Sequence, residues 1–125
     1  MSLKENAQDF VNMLSTGQMQ EAFEKYYADN CVVIEKPSGE IRNGKAAQAK
    51  ALQGWQEMQQ DFHGAGVEGF TVNEDSNQVM IESWVDVTFK DGNRMKMEEV
   101  AVQKWDNDQI VEERFYYHMP GGAPE

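Results

Sequence analysis

Leu3, Ala7, Phe10, Val11 and Leu14 recur every three or four positions, and Ser2 with Glu5 three residues on forms a capping box. The pattern predicts a helix that runs to about Leu14. Ser15-Thr16-Gly17 interrupts it, and Met19, Ala22, Phe23 and Tyr26 then renew the spacing until Ala28-Asp29-Asn30, predicting a bent or paired helix. The β-branched run from Cys31 reads as a short strand stopped by Pro37, followed by a turn over Pro-Ser-Gly-Glu that leads to Ile41 and Gly44. Ala47, Ala51, Trp55, Met58 and Phe62 predict one long helix that ends before Gly64 and Gly66. Beyond it the period falls to two. Strands are expected at about 67–74, 78–90, 94–105 and 110–118, separated by Asp75-Ser76-Asn77, Asp91-Gly92 and Asn107-Asp108. Helices first and an antiparallel meander last give an α+β class, with the helices laid on one face of a curved sheet.

The length of 125 residues bounds this to a single domain over 1–125 with one core, and residues 120–125, rich in Gly and Pro, read as a flexible tail. A net charge of −11 with no Lys/Arg cluster repels phosphate backbones and anionic lipid, so neither nucleic acid nor membrane is an expected partner. No apolar run reaches the length of a membrane span, and the first residues lack the form of a secretory signal. A soluble, cytoplasmic protein is expected. Cys31 is the only cysteine and, flanked by Val32 and Val33, reads as a small buried hydrophobe. No His/Cys cluster suggests a metal, and no phosphate loop, dinucleotide motif or nucleophile elbow is present.

The stretches YYADNCVVIEKPSGEIRNGKAA and VAVQKWDNDQIVEERFYYH carry a resemblance to the nuclear transport factor 2-like superfamily. Within it the chain resembles the SnoaL-like proteins, relatives of polyketide cyclases and ketosteroid isomerases. The resemblance implies a cone-shaped α+β barrel of cystatin-like type, with a hydrophobic pocket between helices and sheet. It also implies a homodimer through the outer sheet face, and no cofactor. The positions matching the ketosteroid isomerase base, tyrosine and second acid are Lys36, Phe10 and Ala101. All three roles are missing, so ketosteroid isomerase activity is not expected, and Ala101 stands where many SnoaL-like cyclases carry an acid.

Register decides which residues line that pocket. A two-residue turn at Asp91-Gly92 would set Asp86 opposite Met97, Trp84 opposite Glu99 and Glu82 opposite Ala101. The other face would carry Ile81, Val85, Val87, Phe89, Val100 and Val102. The amphipathic reading buries those aliphatics under the helices; the resemblance implies the reverse, with Glu82, Trp84, Asp86, Glu99 and Gln103 inside and the aliphatic strip forming a dimer contact. In the last hairpin, a three-residue turn near Asn107-Asp108 pairs Gln103 with Glu113, Ala101 with Phe115 and Glu99 with Tyr117, whereas a two-residue turn would turn Tyr116 and His118 inward. The resemblance favours the first.

Asp86, Glu99 and Tyr117 are therefore the candidate catalytic residues, because a carboxyl desolvated against aromatics can exchange a proton near neutrality. Lys36, Trp55, Glu82, Trp84, Met97, Gln103, Glu113, Phe115 and His118 are the candidate ligand-binding residues, with no metal ligands among them. The competing reading leaves these acids solvated or paired with Lys36 or Arg114. Two functions stay open. One is a cofactor-free isomerase, cyclase or lyase acting on a small apolar or polar organic molecule; the other is a non-catalytic dimeric binding or association module.

Overall fold

The computed structural model describes residues 2–118; the tail expected over 120–125 lies outside them. The elements run α1 (Leu3–Ser15), α2 (Met19–Tyr26), β1 (Tyr27–Glu35), β2 (Glu40–Asn43), α3 (Lys45–Glu57), β3 (Gln59–Asn73), β4 (Gln78–Phe89), β5 (Arg94–Asp106) and β6 (Gln109–Tyr117). The expected capping box opens α1: the Glu5 amide donates to Ser2 Oγ at 3.1 Å, and the Ser2 amide donates to Glu5 Oε1 at 2.9 Å.

One six-stranded sheet has the order β2-β1-β6-β5-β4-β3, antiparallel except where β1 meets β6. The helices cover one of its faces, giving an α+β cone left open between β2 and β3. Phe10 and Val11 from α1, with Phe23 and Tyr26 from α2, meet Cys31, Val33, Val79, Ile81, Trp105 and Ile110 from the sheet in one buried core. Phe10 and Trp105 sit edge to face at 6.2 Å, fixing α1 over β5. Cys31 is fully buried, a small packing residue as its neighbours suggested.

Two helix ends differ from the periodic reading. β1 starts at Tyr27, so Ala28, Asp29 and Asn30 belong to a strand; Tyr27 pairs in parallel with Ile110, and this long-range ladder overrides the local turn signal. α3 stops at Glu57, and β3 pairs with β4 from Gln59 opposite Phe89 to Asn73 opposite Gln78. Phe62, the last residue of the helical spacing, is 61% exposed on that strand. β3 needs glycine where Trp84 crosses it, because a Cβ on Gly66 would come within 2.8 Å of the indole nitrogen.

Both sequence registers depended on turns, and the turns differ from the simplest form. Between β4 and β5 the loop is Lys90-Asp91-Gly92, with Gly92 in the left-handed region at φ 92° and the Phe89 amide donating to the Asn93 carbonyl. Three residues instead of two move the register by one. Trp84 faces Glu98, Asp86 faces Lys96, Ser83 faces Glu99 and Ile81 faces Ala101. The expected pairings of Trp84 with Glu99 and Asp86 with Met97 are corrected, and the whole of β4 turns over relative to β5. Ile81, Val85 and Val87 face the helices as the amphipathic reading had it, while Val100 and Val102 face outward. The single aliphatic strip joining them does not exist.

Between β5 and β6 the turn is Asn107-Asp108, both residues left-handed at φ 51° and 64°. Alone it would turn Tyr116 inward. Ile110 pairs with Trp105 but Glu112 pairs with Lys104, so Val111 is an extra residue that resets the side-chain parity. Gln103 then faces Glu113, Ala101 faces Phe115 and Glu99 faces Tyr117, the pairing expected from a longer turn. Asn6 of α1 donates to Asp108 Oδ1 at 3.0 Å and ties this turn to the helical layer.

Candidate functional site

A cavity of about 110 Å³ opens between the helices and the inner face of the sheet. Phe10 and Leu14 of α1, Phe23 of α2 and Leu52 of α3 form its apolar roof. Its floor is β1 to β6: Tyr27, Ser83, Glu99, Ala101, Gln103, Glu113 and Phe115. A wider depression of about 210 Å³ lies between β3, β4 and β5, lined by Met80, Glu82 and Val100. It is shallow and open, and it holds none of the buried polar groups.

Glu113 is the centre of the polar floor. It is 2% exposed, accepting a hydrogen bond from the Tyr27 hydroxyl on one oxygen and from Gln103 Nε2 at 2.7 Å on the other. Trp105 Nε1 donates to Gln103 Oε1 at 3.0 Å and so fixes the direction of that amide. The chain runs Trp105 to Gln103 to Glu113, closed by Tyr27 from across the sheet. Burial pushes the Glu113 carboxyl up to about 7 against the lowering effect of these two donors. The Tyr27 phenol is pushed well up by its own burial and by Glu113.

Glu99 stands on the same inner face of β5, four residues from Gln103. Burial first, then the neighbouring charges of Glu113 and Glu35, raise it to about 7 as well. Among the described residues neither carboxyl has a cationic partner within ion-pair distance. The nearest guanidinium, Arg42 on β2, is held by Glu35 at 2.5 Å, by Glu40 at 3.0 Å and by Gln48 Oε1 at 2.7 Å. Burial of the two carboxyls in one cavity, with the charge of Glu113 acting on Glu99, favours holding a proton near neutral pH.

The sequence candidates divide by face. Glu99, Gln103, Glu113 and Phe115 line the cavity. Tyr117 and Met97 are half-buried on the same inner face but outside the lining; burial and Glu35 push the Tyr117 phenol up. Asp86 is corrected to the outer face: Arg94 Nε and a second guanidinium nitrogen donate to its two oxygens at 3.2 and 3.1 Å and hold it below the usual carboxylate range. Glu82 and Trp84 go outside with it, for the same one-residue reason, and Trp84 carries Lys96 over its ring at 4.8 Å. Trp55 packs on Phe89 at 5.5 Å, away from the cavity. Lys36 is exposed beyond the end of β1 and His118 is exposed after β6, so neither reaches the acids. Arg114, the other expected counter-charge, bonds Glu112 at 2.5 Å and Tyr116 instead.

Tyr27, Glu35, Arg42 and Gln48 were missed. Tyr27 fell within the predicted second helix, and Gln48, 4% exposed, is absent from the apolar spacing that predicted the long helix. Only the i, i+2 spacing of Gln103 and Trp105 offered a signal for their shared face.

A family model for the SnoaL-like domain matches residues 1–117. The chain belongs to the SnoaL-like family. A crystal structure from Mesorhizobium loti, provisionally named a SnoaL-like polyketide cyclase with a carbohydrate phosphatase label beside it, is 39% identical; the match covers 94% of this chain and all of that one, with a TM-score of 0.86. A cystatin-like protein of unknown function from Xanthomonas campestris is similar at 15% identity over 95% and 92% of the two chains, with a TM-score of 0.78. A hypothetical protein with a ketosteroid isomerase-like fold from Catenulispora acidiphila, solved in complex with trimethylamine, is similar at 14% identity over 96% and 94%, with a TM-score of 0.73. The last two share the fold. No curated protein matches the chain. Among the described residues no helix is long and apolar enough to cross a membrane, and no group of three or more His, Cys, Asp or Glu is placed to hold a metal ion.

The raised carboxyls make a stability prediction. The folded state holds a proton on Glu99 more tightly than the unfolded chain, whose glutamates titrate near 4.5. Its contribution is therefore full below about pH 4.5, falls as pH rises, and is lost above about 7, a change of up to about 3 kcal/mol per carboxyl. Glu99→Gln should flatten the fall in thermal midpoint between pH 5 and 8 relative to wild type. Parallel curves would mean that Glu99 is solvated.

Proposed function

We propose that the SnoaL-like pocket of this protein is a cofactor-free acid–base site that moves a proton on a small organic molecule, with Glu99 as the group that exchanges it. The observation that carries this reading is a pair of carboxyls on one small cavity, Glu113 buried and Glu99 half-buried, with no cationic partner among the described residues. Glu113 is held from two sides and sets the local field. Glu99 has no donor bound to it and faces the cavity, so its proton is available to a ligand. Ser83 and the Gln48 amide nitrogen are the neutral donors on the wall not engaged elsewhere; either could polarise a carbonyl as its α-proton leaves. Isomerase, cyclase and lyase chemistry all begin with such a step.

The cavity also limits the substrate. About 110 Å³ is smaller than the roughly 150 Å³ that admits benzene in an engineered protein core, so the resting cavity takes a molecule of a few heavy atoms rather than a polycyclic polyketide. The negative charge that the carboxyl pair carries beside Glu35 disfavours an anionic ligand, which argues against a phosphate ester as substrate. A non-catalytic module that binds a neutral ligand would use the same apolar roof but would have no need for an unpaired acid.

The test is exchange of α-protons of small ketones and β-dicarbonyls into deuterated water, followed by NMR. Wild type should accelerate exchange, and Glu99→Gln should lose at least about a hundredfold of that acceleration, while Asp86→Asn on the outer face changes nothing. No acceleration by wild type across the panel would remove the proton-transfer reading and leave the binding module.

We also propose the homodimer through the outer sheet face, resting on a different patch from the expected strip. Met80 and Val100 are each 38% exposed and Tyr116 is 41% exposed, and the register puts all three on that face beside Val102. Light scattering at micromolar concentration should give the dimer mass, and Val100→Arg should give the monomer. A monomeric wild type would overturn this assembly.

A further inference from the structure

The walls of the cavity point to a ligand class, and we infer that the site binds a small alkylammonium cation, seated between the aromatic rings and the two glutamates. This rests on reading the cavity as the ligand site, and it goes further by fixing the charge of the ligand. Phe10, Phe23, Tyr27 and Phe115 present rings to the space, and Glu99 and Glu113 present oxygens. Ring faces and carboxylates both attract a positive charge, and a methylated ammonium is weakly hydrated enough to enter an apolar roof. The donors nearest Glu113 are already spent: Tyr27 and Gln103 donate to it, and Trp105 donates to Gln103. The deep end of the cavity therefore offers acceptors and aromatic rings to a ligand.

Most charged or titratable groups facing the pair are acidic, Arg42 is ion-paired, and Lys45 keeps its charge but is turned to a backbone carbonyl and one face of Phe23. Glu35 and Cys31 approach from β1, and Tyr117 from β6. Arg42 from β2 is bound by Glu35 and Glu40. Lys45 of α3 donates to the Glu24 carbonyl at 2.8 Å and lies over the Phe23 ring at 5.5 Å. The residues of α1 and α2 on the roof are uncharged. The net charge of −11 adds a field that draws cations to the molecule. Because burial keeps a proton on the carboxyl pair, a cation entering the cavity displaces that proton into solvent, and binding strengthens as pH rises from 6 to 8.

The experiment is isothermal titration and thermal denaturation of the full chain with methylammonium through tetramethylammonium chlorides, which stay charged over this range. Acetone and acetate serve as neutral and anionic probes of similar size, and sodium chloride as the ionic-strength control. The expected result is saturable binding of at least one ammonium, proton release detected as a buffer-dependent heat, affinity at least tenfold higher at pH 8 than at pH 6, and at least tenfold weaker binding to Glu99→Gln. Equal effects of ammonium and sodium salts, or acetone binding as tightly as the ammonium ions, would overturn the inference on wild-type protein alone, whatever the fate of the variant. Ammonium binding without ketone exchange would leave this inference standing and remove the proton-transfer reading. Glu99-dependent exchange with no ammonium binding or inhibition would do the opposite.

Discussion

Desolvation of Glu113 is the constraint around which the rest of the structure is arranged. A carboxyl that is almost wholly buried needs donors, and this one takes them from two different strands: Tyr27 at the start of β1 and Gln103 in the middle of β5. Each donor must arrive with a fixed orientation. Trp105 supplies that for Gln103, and Phe23, whose ring centroid is 4.9 Å from that of Tyr27, supplies it for Tyr27. The same aromatic residues that build the core between α1, α2 and the sheet thus hold the polar floor. Removing one side of such a network leaves a buried group unpaired, which costs about 1–3 kcal/mol or more.

In the proposed acid–base reading the two carboxyls take separate roles. Glu113 is fixed by its donors, and its field, with that of Glu35, falls on Glu99. Glu99 has no polar partner among the described residues. A held acid beside a free one is a means of keeping a proton available near neutral pH without a metal or organic group, and the small cavity decides what can collect it. Arg42 would collapse this arrangement if it were free, because a guanidinium beside the pair would draw both carboxyls down. Glu35, Glu40 and Gln48 keep it engaged at the edge of the site.

Much of this was legible from residue spacing. The α+β class, the first helix with its cap, and the inward set Gln103, Glu113 and Phe115 were all readable from periodicity joined to a family resemblance. What failed were features in which one residue changes everything. The Asp91-Gly92 dipeptide has the look of a two-residue turn, yet Lys90 joins the loop, and that single residue moved Glu82, Trp84 and Asp86 to the wrong face. In the last hairpin the opposite happened: the turn is the short one, and the extra residue, Val111, sits in the strand. A bulge carries no strong sequence mark, so the correct inward set could be reached from a turn of the wrong length. Tyr27 and Gln48 were invisible for another reason, since their burial comes from partners distant in the chain.

The central claim is that Glu99 and Glu113 share one small cavity and keep a proton there near neutral pH. Titration of their side-chain carboxyl carbons by NMR tests it most directly. The structure predicts that both resonances shift late, around pH 7, in two coupled steps, and that Glu113→Gln lowers the midpoint of Glu99. Both carboxyls titrating near 4.5, with Glu99 indifferent to Glu113→Gln, would contradict it.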